Sequence, residues 1–281
     1  MTTLFHRFKR LLLVAGLPGL VLSFVGCSNP SQASADYETF SDWCLNQNSL
    51  NKEAQHTVKV LLAYANTGDC DRAHQTLTGL NTLGLNQQNI VDIAPIASLR
   101  NLTRLILADN QIEDVQPLAK LTNLTYLSLS INKVKDITPL ASLTQLEELS
   151  LNSNQVTDLD ALANLQTLES LDLGFNQIQT ITPLKQLKQL EVLDLGTNQV
   201  ADIKPLAQLQ SLFWLGLASN QIQDAQPLAG LTQLEVLYLS VNHITDVSMF
   251  KDLSNPAYLF FENNPIRDRT CPVDPQSICS F

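Results

Sequence analysis

The chain is poor in residues that carry out chemistry. It has only four histidines, His6, His56, His74 and His243, and no GxSxG, HExxH or glycine-rich phosphate loop. Serine hydrolysis, zinc proteolysis and phosphate cradling therefore lack a motif. Cysteines never occur as CxxC nor histidines as HxxxH, which removes the usual zinc spacings. Glycine is scarce, 10 residues in 281, and the glycine-rich nonapeptides of calcium-binding solenoids are missing. Lys and Arg number 17 against 27 Asp and Glu, a formal charge of −10. Arg7, Lys9 and Arg10 face no acid within the first 26 residues, which leaves about −13 on the rest. Such an excess argues against nucleic acid or an anionic membrane surface as a direct partner. Neither a metal nor another cofactor is expected, and the chain is read as non-catalytic.

What is present is a period. Leucine occupies position 83 and each twenty-second position after it, at Leu105, Leu127, Leu149, Leu171, Leu193, Leu215, Leu237 and Leu259. A fixed period means that one supersecondary unit is copied and stacked. Around each leucine the chain reads LxxLxLxxNxI, as in Leu102, Leu105, Leu107, Asn110 and Ile112, and is identified as a leucine-rich repeat. Leucines two apart, such as Leu149 and Leu151, leave a short strand on the same side and must be buried together. Stacking strands at about 4.8 Å makes a continuous core, roughly 40 Å long for nine copies.

Other columns fill the coil. Asn110, Asn132, Asn154, Asn176, Asn198, Asn220, Asn242 and Asn264, with Gln88 in the first copy, sit where the chain leaves the sheet. An amide there can donate to and accept from backbone groups that the bend leaves unpaired. An acidic column, Asp92, Asp114, Asp136, Asp158, Asp202, Asp224, Asp246 and Asp268, is broken only by Thr180. Asp and Thr both cap helix N-termini, and several of the acids precede a step such as Pro117-Leu118, so capping outweighs a metal row. Proline at positions such as Pro117, Pro139 and Pro205 suits the first turn of a short convex helix. The fold class expected is α/β: a right-handed, curved solenoid with a parallel concave sheet, short convex helices or 3₁₀ turns, and a small helical N-terminal cap.

Residues 1–26 have a different character. The three basic residues precede an uncharged apolar run from Leu11 to Gly26, the layout of a secretory signal. It ends Phe24, Val25, Gly26, Cys27, which resembles the bacterial lipobox, whose cysteine is diacylated and becomes the new N-terminus. Phe24 departs from the leucine usual there, so an ordinary cleaved signal and an uncleaved anchor stay open. Five cysteines are odd for an exported chain, and removing Cys27 leaves four. Cys44 and Cys70 precede the repeats while Cys271 and Cys279 follow them, and only partners at the same end of a rod can meet. Two disulfide-stapled caps in an oxidising compartment are expected.

The organisation expected is a signal at 1–26, an anchored cysteine and tether at 27–36, a helical cap at 37–79, nine repeats at 80–268 and a C-terminal cap at 269–281. Within the first cap, Val58, Leu61, Leu62 and Ala65 form a helical stripe that Asn51 could cap, and a second helix begins near Asp69. Leu61 and Asn66 also fall in the repeat register, which leaves a degenerate repeat as the other reading.

Leu80 to Ile266 resemble the bacterial 22-residue repeats of internalin-like surface proteins, with their DIxPLAxLTxL stretch at Asp136, Ile137, Pro139, Leu140, Ala141, Leu143 and Thr144. The resemblance implies protein recognition on the concave sheet face. The chain departs from wall-anchored members in ending Ser280, Phe281, without a sorting motif. A lipid-tethered monomer at a bacterial membrane, facing the periplasm or the cell surface, is expected.

Residues between the core leucines face the concave side. They are Arg104, Ile106 and Tyr126 near the N-terminus, then Glu148, Ser150, Asn152, Ser170, Asp172 and Asp194. Toward the C-terminus come Val192, Trp214, Val236, Tyr238, Tyr258 and Phe260. Aromatics clustered on a wet face mark a binding surface, here flanked by acids and suited to a partner with basic and apolar groups. Packing beneath the C-terminal cap is the second reading of Tyr258 and Phe260. Gly174 and Gly216 are read as allowing close approach of a ligand. Glu148, Asp172 and Asp194 could mimic a glycosidase pair, but are expected to be exposed carboxylates with little pKa perturbation. An envelope glycan binder and a structural or adhesive surface protein are the alternatives to a protein-binding module.

Overall fold

The computed structural model describes residues 37–281; the signal-like segment, Cys27 and the tether lie outside the described residues. Three helices form the N-terminal cap: α1 (Phe40–Leu45), α2 (Lys52–Tyr64) and α3 (Cys70–Thr78). Asn51 Oδ1 accepts the Ala54 N–H at 2.6 Å, and Asp69 Oδ1 accepts from Asp71 and Arg72 at 3.0 Å each, so both anticipated caps are made. Helix α1 was not foreseen. Its signal is the capping box of Thr39 and Asp42, each side chain accepting the other's backbone N–H. Cys44 joins α1 to α3 through Cys70. The cap closes the core end with Phe40, Trp43, Val58, Leu61, Ala73 and Leu77 buried. It is pinned to the first coil where Thr57 Oγ1 donates to the Asp92 carbonyl at 2.6 Å.

The repeats supply β1 (Thr82–Gly84), β2 (Arg104–Ile106), β3 (Tyr126–Ser128), β4 (Glu148–Ser150), β5 (Ser170–Asp172), β6 (Val192–Asp194), β7 (Trp214–Gly216), β8 (Val236–Tyr238) and β9 (Tyr258–Phe260). A tenth strand, β10 (Cys279–Ser280), lies beyond them. Pairing is parallel and strictly sequential, and Leu149 stands opposite Leu127 and Leu171. One residue of each three-residue strand therefore enters the core, and two face the open side of the sheet.

Behind the sheet, the expectation of short helices or 3₁₀ turns resolves to 3₁₀ turns throughout the repeats, for instance Gln116–Lys120, Thr138–Ser142 and Lys204–Gln208. The acidic column acts one residue earlier than a true N-cap. Asp114, Asp136, Asp202 and Asp224 each accept, through Oδ1, the N–H two residues on, at 2.8 to 3.0 Å. That hydrogen bond turns the chain into the 3₁₀ segment.

The asparagine column is the backbone ladder its spacing implies. Asn154 Nδ2 donates to Leu151 O at 3.0 Å and to Leu129 O of the preceding coil at 2.9 Å, while its Oδ1 accepts Val134 N–H at 2.9 Å. One amide thus satisfies three backbone groups and staples two coils.

At the far end, Cys271 bonds Cys279, β10 pairs with β9 and the rings of Phe281 and Phe261 lie 5.5 Å apart. This strand covers the last edge of the sheet, a device invisible in the repeat register.

Candidate functional site

Two rows of side chains cross the open face. Register aligns Arg104, Tyr126, Glu148, Ser170, Val192, Trp214, Val236 and Tyr258 in one row. The other holds Ile106, Ser128, Ser150, Asp172, Asp194, Gly216, Tyr238 and Phe260.

The aromatic cluster is a continuous platform over β7 to β9. Trp214 and Tyr238 have ring centroids 5.4 Å apart, Tyr238 and Phe260 stack at 4.5 Å and 8° between planes, and Tyr258 lies 6.2 Å from Phe260. Tyr258 is 50 % exposed, so the C-terminal cap does not cover it, and Trp214, Tyr238 and Phe260 are half-buried. Contacts of this kind hold rings rigid and flat, as an anchor surface requires. The Trp214 Nε1 is buried and finds no hydrogen-bond acceptor.

Val236 corrects the concave-face expectation: it is 4 % exposed. Register places it between Trp214 and Tyr258, and a short side chain between two large ones is covered by them. Val192, two strands earlier, remains half-buried.

The two aspartates depart further from expectation. Asp172 is 8 % exposed and fully engaged: Oδ1 accepts Gly174 N–H at 3.1 Å and Asn152 Nδ2 at 3.2 Å, and Oδ2 accepts the Ser150 hydroxyl at 3.1 Å. Ser150 in turn meets Ser130 at 2.6 Å. Asp194, directly across from Asp172, has among the described residues one hydrogen-bond partner, the Gly196 N–H on Oδ1 at 2.7 Å. Burial and then the Asp172 charge push its carboxyl up to about 7. Burial raises Asp172 too, against the pull of its hydrogen bonds. The reading of these acids as exposed and unperturbed is therefore wrong, because neighbouring strands remove water that a bare strand would leave: Ser150 and Asn152 enclose Asp172, and Trp214 crowds Asp194 over Gly216.

Gly216 explains part of that crowding. A Cβ there would lie 2.6 Å from Asp194 Oδ1 and 2.9 Å from Trp214 Cη2. The room is filled by the protein's own acid and ring, so the glycine serves packing rather than ligand approach. The same holds for Gly174, where a Cβ would meet Asn152 Nδ2 at 2.8 Å.

Toward the N-terminus the face changes character. The Arg104 guanidinium sits 3.9 Å from the centroid of Tyr126, a cation–π contact, and Glu148 follows on the next strand. Burial, with the Glu148 charge behind it, raises the Tyr126 phenol.

One further row was not anticipated. The residue before each ladder asparagine has a positive φ, including Ile131 (55°), Phe175 (54°) and Val241 (58°), and these three are exposed. Branched residues rarely adopt the left-handed region.

Among the described residues, no cluster of three or more His, Cys, Asp or Glu could hold a metal, and no helix is long and apolar enough to cross a membrane.

The family described as Leucine Rich repeats (2 copies) matches at residues 100–142, 122–164, 166–208 and 210–255. An internalin, inlF, of Listeria monocytogenes is similar at 34 % identity and a TM-score of 0.67 over 78 % of this chain, which spans 66 % of that protein's length. Internalin C2 of the same organism is similar at 37 % identity and a TM-score of 0.66, covering 74 % of this chain and 89 % of that one. The ectodomain of the plant receptor kinase GASSHO1/SCHENGEN3 from Arabidopsis thaliana, solved in complex with Casparian strip integrity factor 2, shares the fold at 24 % identity and a TM-score of 0.61 over 68 % of this chain and 25 % of that one. No curated protein matches by sequence.

Proposed function

The chain belongs to the leucine-rich repeat family and is internalin-like, and from that premise we propose that it is an exported, non-catalytic scaffold that grips a protein partner on its concave face. The observation that carries this is the aromatic platform of Trp214, Tyr238, Phe260 and Tyr258, stacked on consecutive strands of the open face, with Tyr258 half exposed. Large rings left on a wet surface are what interface hot spots are made of. The plant receptor ectodomain of the same fold is itself held in a complex.

Export is supported by the disulfides Cys44–Cys70 and Cys271–Cys279, which persist in oxidising compartments. The proposed address is a bacterial membrane, through a lipid on Cys27, with the folded part a monomer. Metabolic labelling with a radioactive fatty acid tests the anchor: label lost in Cys27→Ser supports it, and label retained refutes it.

The docking face is tested by affinity capture from envelope extract with the purified protein and its Trp214→Ala/Tyr238→Ala variant. One partner captured by the first and lost by the folded second supports the reading. Equal capture by both sends the site elsewhere. Retention on glycan by the intact protein, lost on changing Asp172 or Asp194, would favour the second reading, an envelope glycan binder. Surface association that survives both sets of changes would instead favour a structural or adhesive envelope protein.

A further inference from the structure

Asp194 stands out against the repeat. The positions matching it on neighbouring strands hold Asp172, whose two oxygens are fully used, and Gly216, which has no side chain. Asp194 Oδ2 accepts no hydrogen bond, and among the described residues no Lys or Arg pairs with either acid. Its carboxylate lies beside the edge of the Trp214 ring over Gly216, and Tyr238 follows across β7. Negative charge, a vacant acceptor and two aromatic rings on the β7 and β8 side of the acid are the complement of a guanidinium or ammonium group, which gains from a carboxylate and from neighbouring aromatic rings together. We propose that Asp194, with Trp214 and Tyr238 next to it on the β7 and β8 side, seats one basic side chain of the partner protein, the rings taking the apolar residues beside it. The inference rests on the docking-face reading and names the chemistry of the occupant.

The seat has a built-in pH dependence. The charged and titratable groups facing Asp194 are Asp172 on β5 and Tyr238 on β8, with Glu262 beyond Tyr238; the adjoining β7 offers Trp214 and Gly216 and no charge. No histidine contributes. The two acids titrate as a pair, and with Asp194 protonating at about 7 the seat is filled by a proton below neutrality. A cation must displace that proton. Binding therefore weakens as pH falls, by about tenfold between pH 8 and pH 6 where the bound acid stays ionised.

The test uses acetyl-Phe-Arg-Phe-amide and its neutral isostere, in which citrulline replaces arginine, with the amide resonances of Gly196 and Gly216 as reporters. The inference expects the arginine peptide to bind more tightly at pH 8, to lose about tenfold at pH 6, and to lose both its preference and its pH dependence in Asp194→Asn. The citrulline peptide should bind weakly at both pH values. Equal binding of the two peptides, or a pH dependence that survives Asp194→Asn, overturns the seat while leaving the aromatic docking face intact. Failure of both peptides at millimolar concentration also overturns it, and only loss of Trp214-dependent partner capture would overturn the docking face. Binding of a neutral oligosaccharide at the same resonances, with neither peptide bound, would assign the site to glycan.

Discussion

Replacing Asp194 by asparagine should stabilise the protein by an amount that grows as pH rises from about 4 and is complete above about 7. The folded carboxyl titrates at about 7 against an ordinary 3.8, so the fold disfavours its charged form. The sign follows directly. Between about pH 4 and 7 the native state holds a proton that the unfolded chain has released, and stability falls as pH rises through that window. A displacement of about three units corresponds to at most about 4 kcal/mol; partial exposure of Asp194 reduces this to about 2 kcal/mol. Asparagine keeps the acceptor for Gly196 N–H and places an amide where Oδ2 now has no partner. Asp194→Asn should therefore raise the unfolding free energy by about 2 kcal/mol at pH 8 and change it little at pH 4.5. Urea titrations followed by circular dichroism across that range measure the difference. A gain that is absent at pH 8, or equal at both ends, would refute the reasoning, because a neutral packing effect carries no pH dependence.

Four other variants probe the scaffold. Asn154→Ala removes an amide that serves three backbone groups of two coils, and should cost about 3 kcal/mol, measured by urea denaturation; a loss below about 1 kcal/mol would mean that water replaces the ladder. Ile131→Asn, at φ 55° and exposed, should stabilise by about 1 kcal/mol, visible as a rise in Tm, and Val241→Asn should behave alike; a fall in Tm in either case would show that the exposed methyls pack usefully. The Cys44→Ala/Cys70→Ala pair opens a cross-link spanning 26 residues, and should cost about 3 kcal/mol. Hydrogen exchange should then rise first in α1 to α3, and uniform loss of protection along the sheet would contradict a cap that frays on its own.

The solenoid was legible because each of its coils repeats the same physical demand. The leucine columns, the Asn154 ladder and the proline at the start of most convex turns are answers to burial, backbone satisfaction and turn geometry, and each recurs often enough to be read from spacing alone. Both disulfides were legible from the reach of a rod. The ends were harder. Helix α1 rests on one capping box, and β10 is two residues long and outside the register. The identity of the concave residues was also readable, but their state was not. Whether Asp172, Asp194 and Val236 are wet depends on side chains from neighbouring strands, about twenty residues distant in sequence: Ser150 and Asn152 enclose Asp172, Trp214 crowds Asp194 over Gly216, and Trp214 and Tyr258 cover Val236. Alternation gives direction along a strand, and cross-strand neighbours give burial.

That separation between scaffold and face also bears on why an acid is held at position 194. The repeat needs nothing there: Ser150 and Gly216 occupy the same row in other coils, and the ladder, the cap and the leucine core are complete without it. An unpaired carboxylate in a crowded place lowers stability at neutral pH, and the same row shows at Asp172 how hydrogen bonds could have satisfied one. Features that cost stability without serving the fold collect at functional sites. If Asp194→Asn gains stability and loses arginine selectivity together, the cost and the function reside in one side chain. If it gains stability and selectivity is unchanged, the acid is an accident of the face and the aromatic rings alone choose the partner.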